Sequence, residues 1–174
     1  MSVLGSDDGL VRSTIEGRIS RRVGESCKLL DDERFDEWLD LFHRDAIYEI
    51  VTDSPELRKP QLWFRADTGR LGILLPGISG HIRNGARTFR TWSPPDVRPA
   101  EPGDSGDEIR SETAVSIYST SLEGVSSLYC LVRYRDRWSL ERRDDPMPEA
   151  PYLLRQRSVY LETRMMSIGS HAPL

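Results

Sequence analysis

The chain has 174 residues, of which 37% are hydrophobic and 30% are charged, and its formal net charge is −4. This length and composition are typical of one globular domain, residues 1–174, with its own hydrophobic core. The acidic balance argues against nucleic acid or an anionic membrane as a partner, and no apolar run is long enough for a transmembrane helix.

The first ten residues, MSVLGSDDGL, contain neither a basic start nor an apolar core. They do not have the pattern of a signal peptide, so we expect a cytoplasmic protein in which residues 1–12 are flexible. The two cysteines, Cys27 and Cys130, are isolated in the sequence. This isolation predicts two reduced thiols rather than a disulfide or a metal site.

A first helix is predicted to begin near Ser13. The stretch Ser13-Thr14-Ile15-Glu16 has the spacing of a capping box, in which the serine and glutamate side chains satisfy opposed backbone N–H groups. An apolar stripe then recurs at helical spacing through Ile15, Ile19, Val23, Cys27 and Leu30. The sequence therefore predicts a helix with one buried face that ends at Asp31-Asp32.

A short amphipathic helix and a strand are predicted next. The helix is indicated by apolar residues at i, i+3, i+4 and i+7, namely Phe35, Trp38, Leu39 and Phe42. Asp31-Asp32 can cap it. In the following AIYEIV, residues 46–51, alternation places Ala46, Tyr48 and Ile50 on one face of a strand.

The middle of the chain gives weaker patterns. LWF, residues 62–64, and TFRTW, residues 88–92, are typical of strands, and the apolar stretch 70–85 predicts a helix or turn pair broken near Pro76. Residues 93–107 contain four prolines and two glycines, which predicts a long surface loop.

The last third predicts three long strands. Residues 108–120, 125–144 and 152–166 are rich in Val, Ile, Tyr and Thr, and Glu123-Gly124 separates the first two. Along the middle strand, alternation predicts one shared face for Leu128, Cys130, Val132 and Tyr134. Helices followed by an antiparallel meander indicate an α+β fold, with the helices on the concave face of a strongly curved, mainly antiparallel sheet that forms a cone.

No metal or cluster motif is present in the sequence. The three histidines, His43, His81 and His171, are far apart and none is near a cysteine. A Rieske cluster requires two Cys-x-His or Cys-x-x-His units, and neither unit occurs. We therefore expect no cofactor on this chain.

The stretch His43-Arg44-Asp45 supports two interpretations. In the catalytic one, His43 or Asp45 is a general base at the mouth of the cone, with Tyr48 as a hydrogen-bond donor to an enolate. In the structural one, Arg44 and Asp45 are exposed turn residues, and His43 caps the C-terminus of the preceding helix.

The arginine-rich run RYRDRWSLERRDD, which begins at Arg133, has mixed charge because acidic residues follow the arginines. A solvated or partner-facing edge is favoured over a phosphate site. The C-terminal tail, residues 167–174, is apolar and predicts an interface element, and the alternative is a tail that folds back on its own domain. The predicted interface residues are Arg133, Arg135, Trp138, Ile168, His171 and Leu174.

Three segments carry a resemblance to a known family. LLDDERFDEWLDLFHRDAIYEI, RTFRTWSPPDVR, and LVRYRDRWSLERRDD followed by LLRQRSVYLETRMMSIGSHAPL occur in the family's order. The sequence resembles the small (β) subunit of aromatic-ring-hydroxylating dioxygenases, the Rieske non-haem iron oxygenases. The resemblance implies a cone-shaped domain of the nuclear-transport-factor-2-like or cystatin-like kind, with a structural role.

The resemblance also implies partners that carry the chemistry. These are a larger α subunit with a Rieske [2Fe-2S] cluster and mononuclear Fe(II), and further β subunits in a trimeric arrangement. Two other functions remain open for this fold. One is a stand-alone isomerase, cyclase or dehydratase with its base inside the cone, and the other is a small-ligand binding module.

Overall fold

The computed structural model describes residues 6–54, 59–77, 86–101, 108–140, 151–163 and 173–174. Its elements, in chain order, are α1 (Ser6–Asp31), α2 (Phe35–Leu39), β1 (Phe42–Ser54), β2 (Lys59–Asp67), α3 (Thr68–Leu74), a 3₁₀ turn (Leu75–Gly77), β3 (Arg87–Trp92), β4 (Asp96–Pro99), β5 (Glu108–Thr120), β6 (Ser126–Leu140) and β7 (Tyr152–Leu161). Helices that precede and cover one sheet confirm the predicted α+β class.

The strands form one sheet in the order β2-β1-β7-β6-β5-β3, with β4 also paired to β5. All neighbours are antiparallel except β1 and β7, which run parallel. The predicted meander is confirmed for β5, β6 and β7, and its first turn contains Gly124 at φ 84°, a conformation that favours glycine. We call the sheet face that packs against α1 the inner face, and the opposite one the outer face.

The apolar stripe of α1 lies on the inner face as predicted. Ile19, Val23 and Cys27 are 0% exposed, and Leu30 is 1% exposed. A Cβ atom at Gly24 would stand 3.0 Å from the Trp92 ring, so the absence of a side chain there allows α1 to lie close to β3. This packing is what anchors the helix, because propensity alone contributes little in water.

Two predictions about the helices are wrong. α1 begins at Ser6 and not near Ser13, so the capping-box sequence at Ser13 lies inside the helix. Gly9 does not prevent this, since one helical glycine costs only about 1 kcal/mol. The N-cap of α2 is Arg34, whose side chain makes no capping hydrogen bond. Asp31 was predicted to cap this helix, but its carboxylate is bound to Arg90 instead.

The loop prediction for residues 93–107 is wrong in part, since β4 pairs with β5 in register from Asp96↔Glu112 to Pro99↔Ile109. Proline is tolerated because β4 pairs on one side only. The break near Pro76 is confirmed, because α3 ends at Leu74 and the 3₁₀ turn follows. Residues 78–85, 102–107 and 141–150 lie outside the described residues.

A β-bulge changes the predicted alternation along β6. The register is Ile117↔Cys130 and then Tyr118↔Leu128, so one extra residue is inserted in β6. Cys130, Val132 and Tyr134 are buried on the inner face as predicted, but Leu128 is 49% exposed and lies on the outer face. A bulge reverses the facing of every residue beyond it, which is the reason for the error.

Candidate functional site

The inner face holds a fully buried ion pair between Arg157 on β7 and Asp136 on β6. The two residues are direct register partners, and both side chains are 0% exposed. The guanidinium donates from Nε to Oδ1 at 2.9 Å and from Nη2 to Oδ2 at 2.7 Å. This two-point contact satisfies both carboxylate oxygens, as the burial of a charge requires.

A third N–H group of Arg157 connects the ion pair to the helices. Nη1 donates to the Ser26 hydroxyl of α1 at 2.6 Å, and the Trp38 indole of α2 donates to the same oxygen at 3.0 Å. Burial raises the pKa of the Asp136 carboxyl, while the charge and hydrogen bonds of Arg157 oppose the rise. Asp136 is therefore a structural ligand of Arg157 rather than an available general acid.

The three candidate catalytic residues do not share a site. Tyr48 is 1% exposed on the inner face, whereas the Asp45 side chain is 67% exposed. His43 Nδ1 lies 3.7 Å from Asp45 Oδ2 and 3.0 Å from Arg155 Nη1, so it belongs to the surface cluster with Asp45. His43 is also within β1 and does not cap the preceding helix, which corrects the structural interpretation given above.

The hydroxyl of Tyr48 is bound by the backbone of Leu174. It accepts from the Leu174 N–H at 2.9 Å and donates to the Leu174 main-chain oxygen at 3.2 Å. Burial raises the pKa of Tyr48 above its ordinary range, so the hydroxyl keeps the proton that it donates. Tyr48 is thus engaged within the chain instead of facing an open pocket.

The predicted interface residues have different positions. Arg133 and Arg135 lie on the outer face, with side chains that are 45% and 50% exposed. Trp138 is 0% exposed and its indole donates to the Ser111 hydroxyl at 2.8 Å, so it is a core residue and no partner can reach it. Leu174 is 3% exposed inside its own domain, as in the alternative of a tail that folds back. Ile168 and His171 lie outside the described residues.

The outer face carries charged side chains where β4, β5, β6 and β7 lie side by side. An open groove of about 500 Å³ runs over these strands. Glu112 pairs with Arg133 at 3.2 Å and with Arg135 at 3.0 Å, and the Arg135 guanidinium lies 4.0 Å from the centre of the Tyr160 ring. Carboxylates of this chain balance the charges of Arg133 and Arg135, which argues against a phosphate site here.

The same face becomes apolar toward the β5–β6 turn. Phe89, Tyr118 and Leu128 are register neighbours across β3, β5 and β6, and they are 62%, 38% and 49% exposed. We call these three residues the outer apolar row. Leu122 and Val125 in the adjoining turn are 74% and 67% exposed. Sequence alternation missed the row because the bulge at Tyr129 moves Leu128 to this face.

The described part of the chain contains neither a candidate metal site nor a candidate membrane-spanning helix. No group of three or more His, Cys, Asp or Glu residues there could hold a metal ion. No helix there is long and apolar enough to cross a membrane.

Burial raises the pKa of the Cys27 thiol to about 11, so this cysteine is protonated at neutral pH.

Comparison with curated proteins finds two informative relatives. The chain is 35% identical to the β subunit of 2-aminobenzenesulfonate 2,3-dioxygenase from Alcaligenes sp. over 150 residues, which cover 86% of this chain and 92% of the relative. It is 23% identical to the hydroxylase β subunit of methanesulfonate monooxygenase from Methylosulfonomonas methylovora, over 98% of this chain and 92% of the relative. No family model matches.

Solved structures share the fold at low sequence identity. The β subunit of an aromatic-ring-hydroxylating dioxygenase from Novosphingobium aromaticivorans superposes with a TM-score of 0.75 at 18% identity, covering 94% of this chain and 99% of that chain. An NTF2-like protein with a cystatin-like fold from the same organism gives 0.61 at 14% identity, over 95% of this chain and 94% of that one.

Proposed function

Because the chain belongs to the family of β subunits of aromatic-ring-hydroxylating dioxygenases, we propose that it is the structural subunit of a cytoplasmic oxygenase and assembles with a larger α subunit. The observation that carries the proposal is the 35% identity to a dioxygenase β subunit across 86% of this chain. The chain is therefore an oxidoreductase subunit. In the proposed assembly, the α subunit supplies the Rieske [2Fe-2S] cluster and the mononuclear Fe(II), and the β subunits form a trimer.

The interior of the domain supports a structural role. The buried Arg157–Asp136 pair also binds Ser26. The buried Arg90 side chain is paired with Asp31, and the Tyr48 hydroxyl is bound by Leu174. A stand-alone isomerase, cyclase or dehydratase would need a base beside Tyr48 in the interior. His43 and Asp45 lie in a surface cluster instead, so this alternative has the weaker support.

The proposed substrate of the complete oxygenase is an aromatic sulfonate. Both curated relatives are named for sulfonates, one aromatic and one aliphatic. The family of the chain favours the aromatic one. We assign the substrate contacts to the α subunit, because the Tyr48 hydroxyl is already bound by Leu174 and Asp136 by Arg157.

Co-expression with an oxygenase α-subunit gene from the same organism tests the proposal. We expect the two chains to purify together and, with a reductase system, to consume oxygen in the presence of 2-aminobenzenesulfonate. Aniline is the matched control, because it lacks only the sulfonate, and we expect it to support less oxygen uptake. Separate elution of two folded chains would refute the assembly, and activity of the β chain alone would favour the stand-alone alternative.

The outer apolar row is the surface that we propose for the α subunit. It exposes three large apolar side chains on the same sheet face as the charged groove, and interfaces combine apolar and polar surface in this way. The inner face packs against α1 through β3, β4 and β7.

Leu128→Asp should reduce the amount of co-purified α subunit by about tenfold or more. A tenfold loss of affinity corresponds to roughly 1.4 kcal/mol, and burying an unpaired carboxylate at an interface costs several times as much. The control is Leu62→Asp, at a leucine that is 55% exposed on β2 at the other edge of the sheet. We expect it to co-purify normally. Equal recovery of α with both variants and the parent chain would show that the row is not the α-binding surface.

A further inference from the structure

The last two residues of the sequence occupy the interior of the domain. Pro173 is buried and Leu174 is 3% exposed, within the same core cluster as Trp38 and Tyr48. Proline has no N–H group, so Pro173 enters the interior without leaving a donor unpaired. The N–H group and the main-chain oxygen of Leu174 are both bound by Tyr48.

Tyr48 is held in position by aromatic neighbours. The Trp38 ring meets it edge-on at 5.7 Å between centroids, and the Phe64 ring lies at 6.2 Å. The hydroxyl therefore has a fixed place, from which it acts as acceptor and donor toward one residue. Contacts of this kind recognise backbone, and they require that the residue bound there has an N–H group.

Arg90 forms the second half of the site. Its side chain is 1% exposed, and it is ion-paired through Nη1 with Asp31 at the end of α1. The Arg90 backbone N–H also donates to Asp31 at 2.8 Å, which fixes both ends of the side chain. Its Nη2 donates to the Pro173 carbonyl at 3.0 Å, while its Nε is buried without a hydrogen-bond partner. A buried guanidinium needs such acceptors, so Pro173 satisfies a requirement that Asp31 alone does not meet.

We propose that Tyr48 and Arg90 form a peptide-binding site inside the domain, and that its ligand is the chain's own Pro173–Leu174 segment. The order of the two residues matters for recognition. Arg90 needs only the oxygen of Pro173, whereas Tyr48 also accepts from an N–H group, which Leu174 has and a proline would lack. The site is independent of the α subunit. It also gives a physical reason why Tyr48 is not available to a small substrate.

The test removes the segment and restores it as a separate peptide. We expect a chain lacking residues 170–174 to melt roughly 5–15 °C below the full chain, since it loses buried contacts of a leucine and three hydrogen bonds. Acetylated Ser-His-Ala-Pro-Leu at millimolar concentration should recover several degrees of this loss. The control peptide, Ser-His-Ala-Leu-Pro, has the same composition but no N–H group at the Tyr48 position, and we expect it to recover nothing.

A measurement on the full chain covers the case in which the truncated chain does not fold. The Leu174 amide should be protected from hydrogen exchange in the full chain, and Tyr48→Phe should accelerate its exchange at least tenfold. An unprotected Leu174 amide, an unchanged melting temperature after truncation, or equal stabilisation by both peptides would each overturn the proposal. Co-purification with the α subunit is a separate readout, so either proposal can fail alone.

Discussion

Asp136→Ala should lower the free energy of unfolding by about 3–5 kcal/mol, the cost of removing one partner from a buried ion pair. Both side chains are 0% exposed, so the variant leaves the Arg157 guanidinium buried without its counter-charge. Arg157 would keep its charge, because a guanidinium is not deprotonated in proteins. Urea unfolding of the isolated chain, followed by circular dichroism, measures the change.

Two companion variants identify the cause of the destabilisation by Asp136→Ala. Arg157→Met should cost less than Asp136→Ala, because burial already raises the pKa of the Asp136 carboxyl and the orphaned acid can bind a proton. The double variant Asp136→Leu with Arg157→Met should recover most of the loss, since replacement of a buried pair by apolar residues is often neutral. A double variant as unstable as Asp136→Ala would show that the pair contributes net stability, and equal losses for both single variants would contradict the protonation argument.

Trp138→Ala should also destabilise the isolated chain by about 3–5 kcal/mol, which is typical when a large buried aromatic side chain is removed. The indole is 0% exposed and donates to Ser111 on the neighbouring strand at 2.8 Å. Trp138→Phe should cost less, because it retains most of the packing and loses the hydrogen bond, whose net worth is about 1 kcal/mol. Thermal and urea melts of the chain without its partner give both values.

The matched control for Trp138 is Arg135→Ala on the same strand but on the outer face, where the side chain is 50% exposed. Its ion pair with Glu112 is exposed, so we expect a change within about 1 kcal/mol. The contradicting outcome is that Trp138→Ala leaves the isolated chain as stable as Arg135→Ala does but abolishes assembly. Trp138 would then be an interface residue, as the sequence first indicated.

Local patterns in the sequence were sufficient for most elements. The stripe on α1 and the long strands β5, β6 and β7 follow from periodicities of 3.6 and 2, which depend only on neighbouring residues. The alternation that puts Val132 and Tyr134 inward also puts Asp136 and Trp138 inward. The sequence therefore contains the signal for the core position of Trp138, although the surrounding arginines suggest an exposed edge.

Other features depend on contacts that no local pattern encodes. The partner of Asp136 lies 21 residues away on another strand, and Leu174 meets Tyr48 across 126 residues. The bulge that exposes Leu128 is set by the register between β5 and β6. In each case the stabilising free energy comes from packing and strand pairing between segments that are distant in the sequence. A charged residue such as Asp136 can therefore be buried, and a leucine such as Leu128 can be exposed.

The sequence by itself thus determined the α+β class, the family, and the amphipathic faces of the helix and of the long strands, because composition and periodicity are properties of contiguous residues. The tertiary structure decided which charged and polar groups are buried inside the domain and which apolar side chains are exposed on its surface. Arg157, Asp136 and the Pro173–Leu174 segment are internal because each finds a hydrogen-bonding partner there. Phe89, Tyr118 and Leu128 remain external because strand register turns them away from α1.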